Sequence, residues 1–182
     1  MKTETYTRTA IVLHWLIGLC VLAQITLGLW MIGIAKTPPG LRAYWFNVHK
    51  SIGITLGVLI LLRLLWRFTH RAPALPATLP AWQRLAAKGN HFLLYVCMLV
   101  MPLSGYLGSS FTKYPIVYFG MRLPHWGWDA PELKALCSQV HFITVICFIT
   151  LIAIHIAAAL KHLLVTRDGT FERMWRWPAR AR

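Results

Sequence analysis

The sequence alternates long apolar runs with shorter segments that carry the prolines and most of the charged residues. A helix that crosses a membrane needs roughly 20 mostly apolar residues, and each run is about that long. The sequence therefore predicts four membrane-spanning helices, over residues 11–35, 49–68, 91–111 and 139–165. The segments between them, 36–48, 69–90 and 112–138, are predicted to be loops. We expect an all-α protein, a transmembrane four-helix bundle that forms a single membrane domain over residues 1–182.

The composition excludes an ordinary soluble protein. Of the 182 residues, 57% are hydrophobic and 13% are charged, and the mean hydropathy is +0.55. The chain has 19 Lys and Arg against 5 Asp and Glu, a formal net charge of +14. A basic soluble protein would suggest a nucleic-acid partner. A chain this apolar indicates instead a membrane protein with cationic loops, in contact with lipid and without a nucleic-acid partner.

The four cysteines indicate neither covalent haem attachment nor a disulfide framework. None belongs to the Cys-x-x-Cys-His sequence that attaches a c-type haem, and three of them lie inside apolar runs. We expect all four to be packing residues: Cys20, Cys97, Cys137 and Cys147.

The distribution of Lys and Arg predicts how the bundle is oriented. Thirteen of the 19 fall on the side of the two termini and of the loop 69–90, and six fall on the other side. Cytoplasmic loops carry an excess of Lys and Arg. Both termini are therefore predicted to be cytoplasmic, and the loops 36–48 and 112–138 are predicted to lie outside.

Histidines inside the apolar runs are the candidate functional residues, because ionisable groups are costly in a membrane and usually serve a function there. His141 and His155 lie 14 residues apart on the fourth run. In an α-helix this spacing is about 21 Å along the axis and comes within about 40° of a whole number of turns. Both side chains are therefore predicted on one helix face, at two depths in the membrane.

Other histidines lie at matching depths. His49 opens the second run on the side of His141, and His14 lies in the first run on the side of His155. Two His pairs, one above the other in a bundle core, suit two haem groups with an imidazole on each face of the iron. An iron with two His ligands has no open position, so it passes electrons and does not bind oxygen. Hydrogen bonding between helices is the alternative role for any one of these side chains.

Residue counting leaves part of this assignment open. His91 begins the third run and competes with His14 as the partner of His155, and His162 lies on the same face as His155, seven residues later. Either could be a ligand by spacing alone. His70 and His125 fall in predicted loops, where we expect them to be solvated.

Two glycines and an arginine are candidate haem contacts. Gly53 and Gly57 follow His49 at four and eight residues and would leave a flat strip on one helix face. Close packing between helices is the alternative. Arg63 lies 14 residues after His49, on the same face, where it could bind a haem propionate. Its alternative is to extend to the cytoplasmic interface.

Several short motifs are specific in combination, through their order and spacing. They are HW at His14–Trp15, HKSIG at His49–Gly53, RLLWR at Arg63–Arg67, PLSG at Pro102–Gly105, the series His141, His155 and His162, and RDGTFERM at Arg167–Met174. Together they cover nearly the whole chain and resemble the prokaryotic cytochrome b561 family of small four-helix dihaem membrane proteins.

The resemblance implies a ligand set and a function. In the family the ligands come from the first, second and fourth helices, which implies His14 with His155 on an inner haem and His49 with His141 on an outer haem. It removes His91 as a ligand. Family members sit in the bacterial inner membrane and move electrons between a donor and the quinone pool. Oxidation of superoxide with reduction of ubiquinone is assigned to some of them.

The leading hypothesis is an electron carrier with two non-covalent haem b groups, between a small periplasmic donor and membrane quinone. His162 is then the candidate proton donor or hydrogen-bond partner of the quinone on the cytoplasmic side, and an interfacial His bound only to water is the alternative. A second hypothesis is a cytochrome b anchor subunit of a larger respiratory dehydrogenase or hydrogenase, although the short loops offer little docking surface. A His-lined metal transporter is disfavoured because the predicted spans contain no Asp or Glu.

Overall fold

The computed structural model describes residues 5–37, 40–70, 72–76, 79–124 and 126–175. Within them, four helices are long and apolar enough to cross a membrane. They are α1 (Arg8–Met31), α2 (Leu41–Thr69), α3 (Ala81–Ser110) and α4 (Pro131–Lys161). A two-stranded antiparallel hairpin, β1 (Ile116–Tyr118) and β2 (Met121–Leu123), lies between α3 and α4. The all-α bundle predicted from sequence is confirmed, with this hairpin as an addition.

The loop assignments of the sequence analysis were wrong at three helix starts. Helices α2, α3 and α4 begin at Leu41, Ala81 and Pro131, well before the apolar runs at residues 49, 91 and 139. Apolar patterning marks only the part of a helix that lies in hydrocarbon. The preceding turns carry charged and polar side chains but keep their backbone hydrogen bonds, so the helix continues beyond the apolar run.

The ends of α1 are stabilised by side chains. Thr7 accepts a hydrogen bond from the backbone N–H of Ala10 at 3.3 Å, as an N-cap residue does. At the other end, the guanidinium of Arg42 donates to the carbonyls of Ile32 and Ile34, at 3.1 and 2.6 Å. A cation at a helix C-terminus also interacts favourably with the helix dipole. These bonds fix the connection from α1 to α2.

The helices pack in chain order, α1 on α2, α2 on α3 and α3 on α4. Their buried core is small and apolar, and consists of Ile17, Val21, Leu56, Ile60, Cys97 and Phe148. Large apolar side chains cover the outside, with Leu19 and Leu65 each 62% exposed. An outer surface of this kind fits a bundle surrounded by lipid, because lipid tails are as apolar as these side chains.

The hairpin is fixed to one end of the bundle. Ser51 on α2 is 1% exposed, and its hydroxyl accepts a hydrogen bond from the backbone N–H of Phe119 at 3.0 Å. The hydroxyls of Thr55 and Tyr118 lie 3.1 Å apart. Phe119 and Gly120 form the turn with positive φ angles of 44° and 92°. We call this end of the bundle the hairpin side.

The opposite end, the terminal side, is covered by the residues that follow α4. A π-helical turn over His162–Thr166 ends α4, and a short 3₁₀ helix follows at Glu172–Met174. The indole N–H of Trp15 donates to the carbonyl of Met174 at 2.8 Å, and Arg173 donates to the carbonyl of Ala74 at 2.6 Å. These bonds fold residues 168–175, which we call the C-terminal cap, back against the bundle.

Candidate haem sites

Two pairs of histidine rings lie in the bundle, one toward each side. On the hairpin side, the ring centres of His49 and His141 are 6.4 Å apart, with planes inclined at 74°. On the terminal side, the ring centres of His14 and His155 are 6.0 Å apart, with planes inclined at 75°. The structure thus brings together the same pairs that the sequence predicted, each joining α4 to α1 or α2.

The surroundings of His141 fix which of its nitrogens carries the proton. Its Nδ1 lies 3.1 Å from the carbonyl oxygen of Met101 and 3.1 Å from the hydroxyl of Ser104. A carbonyl oxygen can only accept, so Nδ1 must be the donor. Ser104 donates its own proton to the same Met101 carbonyl, at 3.1 Å, and its oxygen accepts from Nδ1. The lone pair of Nε2 is therefore free to bind a metal.

His49 lies in a tighter and less polar setting. A Cβ placed on Gly28 would be 3.3 Å from the Cε1 of His49, so α1 needs a glycine where the imidazole packs against it. Gln24, which is 9% exposed, donates from its amide to the backbone carbonyl of His49 at 2.8 Å. Within the described residues, the buried Nδ1 of His49 and Oε1 of Gln24 have no hydrogen-bond partner.

Arg63 approaches the terminal-side pair from α2. Its guanidinium donates to the carbonyl of Ala10 at 3.0 Å and lies 3.3 Å from the Nδ1 of His14. Arginine has no acceptor, so in this arrangement His14 Nδ1 accepts and the ring carries its proton on Nε2. The guanidinium therefore contacts the first turn of α1 as well as His14.

His91 also lies close to this pair. Its ring centre is 5.3 Å from that of His155, with planes inclined at 70°. The terminal side thus holds three imidazoles, and the competition between His14 and His91 that residue counting left open is also visible in the fold.

The spacing of the two predicted pairs is compatible with haem. A metal–imidazole bond is about 2 Å long and the ring centre lies about 1 Å behind the bonded nitrogen, so two rings on opposite faces of one iron have centres about 6 Å apart. The separations of 6.0 and 6.4 Å agree with this value. The 5.3 Å between His91 and His155 is shorter, which favours His14 as the partner.

The other predicted residues have different neighbours. A Cβ on Gly57 would lie 3.3 Å from Pro102, and one on Gly53 would lie 3.5 Å from Gln24, as expected for close packing between helices. Haem contact at these glycines stays a prediction.

The two histidines predicted in loops were expected to be solvated. His70 is exposed and stacks on Trp66, with ring centres 3.8 Å apart. His125 lies outside the described residues.

His162 forms a bonded pair with an acid that the sequence analysis did not single out. Its Nδ1 is 2.7 Å from Asp168 Oδ2, and the backbone N–H of Thr170 donates to Asp168 Oδ1 at 3.0 Å. Positive φ angles at Arg167 and Gly169, 47° and 76°, turn the chain back toward His162. Burial alone would raise the pKa of Asp168, but hydrogen bonds from Thr170 and His162 prevail and lower it below 3.8. Asp168 is therefore an ionised acceptor at neutral pH.

Sequence reasoning missed the residues that hold the imidazoles. Ser104 and Gly105 appeared only as part of a family motif, yet both contact His141; a Cβ on Gly105 would lie 3.3 Å from its Cε1. Nothing in the spacing links them to a residue 36 or 37 positions later. The signal for Asp168 was stronger, since Asp-Gly after a helix predicts a turn that can return a carboxylate to the last helical His.

A four-helix membrane bundle with one His pair toward each side is typical of membrane-bound b-type cytochromes. The chain belongs to the prokaryotic cytochrome b561 family, whose model matches residues 5–177. It is similar to cytochrome b561 homolog 2 of Escherichia coli (strain K12), with 33% identity over 177 residues that cover 94% of this chain and 91% of that protein.

Two further relatives match over similar lengths. Cytochrome b561 homolog 1 of Escherichia coli (strain K12) is 30% identical over 174 residues, covering 93% of this chain and 96% of that protein. A protein of Yersinia pestis named probable superoxide oxidase CybB is 27% identical over 177 residues, covering 94% and 96%. Membership of the family makes this chain a multi-pass inner-membrane electron carrier that binds haem b.

Proposed function

We propose that the chain binds two haem b groups and carries electrons from a small periplasmic donor to membrane quinone. His49 with His141 would hold one group on the hairpin side, and His14 with His155 would hold the other on the terminal side. The observation that carries this proposal is the pair of ring separations, 6.4 and 6.0 Å, which suit an iron between two imidazoles. When bound, haem b supplies an iron that accepts and releases single electrons.

The residues around each pair have definite tasks in this proposal. Met101 and Ser104 keep the proton of His141 on Nδ1, so that Nε2 faces the iron. On the terminal side, His14 would hold the iron through Nε2 only with its proton on Nδ1, and Nδ1 could then not accept from Arg63. The guanidinium therefore needs another acceptor, and a haem propionate beside it is the chemical match.

We place the quinone near His162, on the terminal side, which we take to be cytoplasmic. Reduction of a quinone consumes protons, and a histidine can exchange one near neutral pH. Asp168 occupies the Nδ1 of His162 at 2.7 Å, which leaves Nε2 to deliver the proton or to bind the quinone head group. The π-helical turn that begins at His162 supports the placement, because such irregular turns occur often at functional sites.

Superoxide is our candidate for the donor. The Yersinia pestis relative is named a probable superoxide oxidase, and superoxide is a small anion. Basic residues outnumber acidic ones in the hairpin-side segments, which favours an anionic donor. The basic residues there are Lys36, Arg42, Lys50, Lys113, Arg122 and Lys134, against Asp129 and Glu132.

The test is to count haem in purified protein and in single variants. The pyridine haemochrome assay should give two haems per chain, both extractable by acid acetone because no covalent attachment is expected. His49→Ala and His141→Ala should each lose the hairpin-side group alone, and His14→Ala and His155→Ala should each lose the other. One haem in the wild type, or loss of haem in His91→Ala but not in His14→Ala, would contradict the assignment. A partner protein that co-purifies in fixed stoichiometry would support an anchor subunit instead.

A further inference from the structure

Helix α3 has a notch that receives the ring of His141. It consists of the Met101 carbonyl, the Ser104 hydroxyl and the Cα of Gly105, which carries no side chain. These residues flank Pro102 in the sequence. Two acceptors lie at 3.1 Å from Nδ1, and Ser104 is only 6% exposed. Two of the other rings differ: among the described residues His49 Nδ1 has no partner, and His14 Nδ1 faces a cation.

We propose that Ser104 is a positioning residue that orients His141 and lowers the reduction potential of the hairpin-side haem. This inference rests on the proposed function, because it requires His141 to be an iron ligand. Ser104 is a partner of the ligand and does not contact the iron itself.

The chemical reason lies in the Nδ1–H bond. When a ligating imidazole donates its second N–H to an acceptor, its other nitrogen becomes a stronger electron donor to the metal. A stronger donor stabilises ferric iron relative to ferrous iron, which lowers the potential. Two acceptors at one Nδ1, in a site with little water, make this effect larger for His141 than for an imidazole with none.

On the terminal side, the surroundings of the histidine pair would raise the reduction potential of the haem. Arg63 places a positive charge against His14, and a nearby cation favours the reduced, less positive iron. The hydrogen bonds at His141 therefore contribute to making electron transfer from the hairpin side to the terminal side favourable, and the Arg63 charge adds to this as far as a propionate does not offset it. This is the direction that a periplasmic donor and a cytoplasmic-side quinone require.

Gly105 is the steric half of the notch. A Cβ there would come 3.3 Å from His141 Cε1 and 3.5 Å from Nδ1. At that distance the ring would have to shift by a few tenths of an ångström, which would strain its bonds to Met101 and Ser104. We infer that the serine and the glycine act together, one bonding the imidazole and the other making room for it.

The experiment is a redox titration of Ser104→Ala, read from the haem absorbance. It is best made in a His14→Ala background, where only the hairpin-side haem should remain, and it is repeated with both haems present. The variant should retain the haem, and its potential should rise. The expected rise corresponds to a two- to tenfold change in the one-electron equilibrium, the upper end being about 59 mV. Ser104→Cys, a weaker acceptor of similar size, should give a smaller rise in the same direction.

Ser110→Ala is the matched control. Ser110 is also a buried serine on α3 that donates to its own helix, at the carbonyl of Tyr106, and its hydroxyl bonds to no histidine within the described part of the chain. It should titrate like the parent protein. A Ser104→Ala potential equal to that of Ser110→Ala would overturn the proposal while two haems per chain still supported the function. Retention of both haems in His141→Ala would instead contradict the ligand assignment itself.

A second pair of variants tests the steric half. Gly105→Ala should weaken or abolish hairpin-side haem binding and shift its spectrum. Gly89→Ala is the control on the same helix, since a Cβ there meets nothing within 4 Å. Unchanged haem content and spectrum in Gly105→Ala would overturn the idea that the notch positions the ring.

Discussion

At the residue scale, the roles of the site depend on which nitrogen of each imidazole is engaged. Met101 and Ser104 fix the proton of His141 on Nδ1, and Asp168 does the same for His162. Both rings therefore have their Nε2 free of these partners. In the proposed function, this nitrogen of His141 would bind the iron and that of His162 would exchange a proton.

The pair of His162 and Asp168 leads to a prediction about quinone reduction. His162→Ala should slow reoxidation of the dithionite-reduced haems by a soluble quinone about a hundredfold, as loss of a general acid does. Asp168→Asn should slow the reoxidation about tenfold, because Asp168 orients the ring of His162 but does not itself donate the proton. Haem content should stay at the wild-type value in both. The rates are measured by stopped-flow absorbance at neutral pH.

The pH range of this experiment follows from the direction of the Asp168 shift. A carboxyl whose folded-state pKa is lowered stabilises the fold above its ordinary value of 3.8, and that contribution is lost only as pH falls through the lower folded value. The C-terminal cap should therefore stay in place over about pH 5 to 8, where histidine exchanges protons. Asp129→Asn makes the same chemical change on the other side of the molecule and serves as control. If His162→Ala reoxidised its haems at the wild-type rate, the quinone would not bind at His162.

What the sequence could supply at this scale was the identity of the paired histidines. His141 and His155 share a face by helical geometry alone. The structure brings His49 near His141, and it brings both His14 and His91 near His155, so the choice that spacing left open stays a prediction. The sequence could not supply Ser104 as a partner of His141, because that contact depends on the register between α3 and α4. Side-chain contacts between helices are set by packing, which leaves no periodic signal along one chain.

At the scale of elements, apolar runs located the helices but not their ends. The run that predicted residues 49–68 corresponds to a helix over Leu41–Thr69, since helical hydrogen bonding continues through residues 41–48, where Arg42 and Asn47 interrupt the apolar residues. The hairpin over Ile116–Leu123 gave no alternating pattern long enough to predict it. Its strands have three residues each, and contacts with α2, chiefly at Ser51, hold it in place.

Because the hairpin depends on its contacts with Ser51, we predict that Ser51→Ala loosens it. The substitution removes the hydroxyl that accepts from the backbone N–H of Phe119, a part-buried hydrogen bond whose loss costs about 0.5 to 1.5 kcal/mol. The hairpin should loosen, so limited proteolysis within residues 112–130 should accelerate and the midpoint of thermal haem release should fall. Ser138→Ala is the control, because Ser138 is exposed and donates only to its own helix at the carbonyl of Lys134. Equal proteolysis of the two variants would show that Ser51 does not anchor the hairpin.

At the scale of the whole molecule, the two ends of the bundle differ in structure. The hairpin side presents basic residues and a small sheet fixed to α2. The terminal side is covered by the C-terminal cap. Trp15 donates a hydrogen bond to Met174 in the cap, and Arg173 in the cap donates one to Ala74. An even number of spans puts both termini on one side, so a single observation of sidedness assigns both ends.

We predict that the terminal side is cytoplasmic. By sequence position, 13 of the 19 Lys and Arg residues belong to the terminal segments, the loop 69–90 and the adjoining ends of the apolar runs, and short loops rich in these residues are retained in the cytoplasm during insertion. A fusion of alkaline phosphatase to the C-terminus should be inactive, whereas a fusion of a fluorescent protein at the same point should be bright. Alkaline phosphatase fused after Arg122, in the hairpin, should be active in the periplasm and is the matched control. An active C-terminal phosphatase together with a dark fluorescent fusion would show that the orientation is the reverse of the predicted one. The proposed quinone site at His162 would then lie on the periplasmic face.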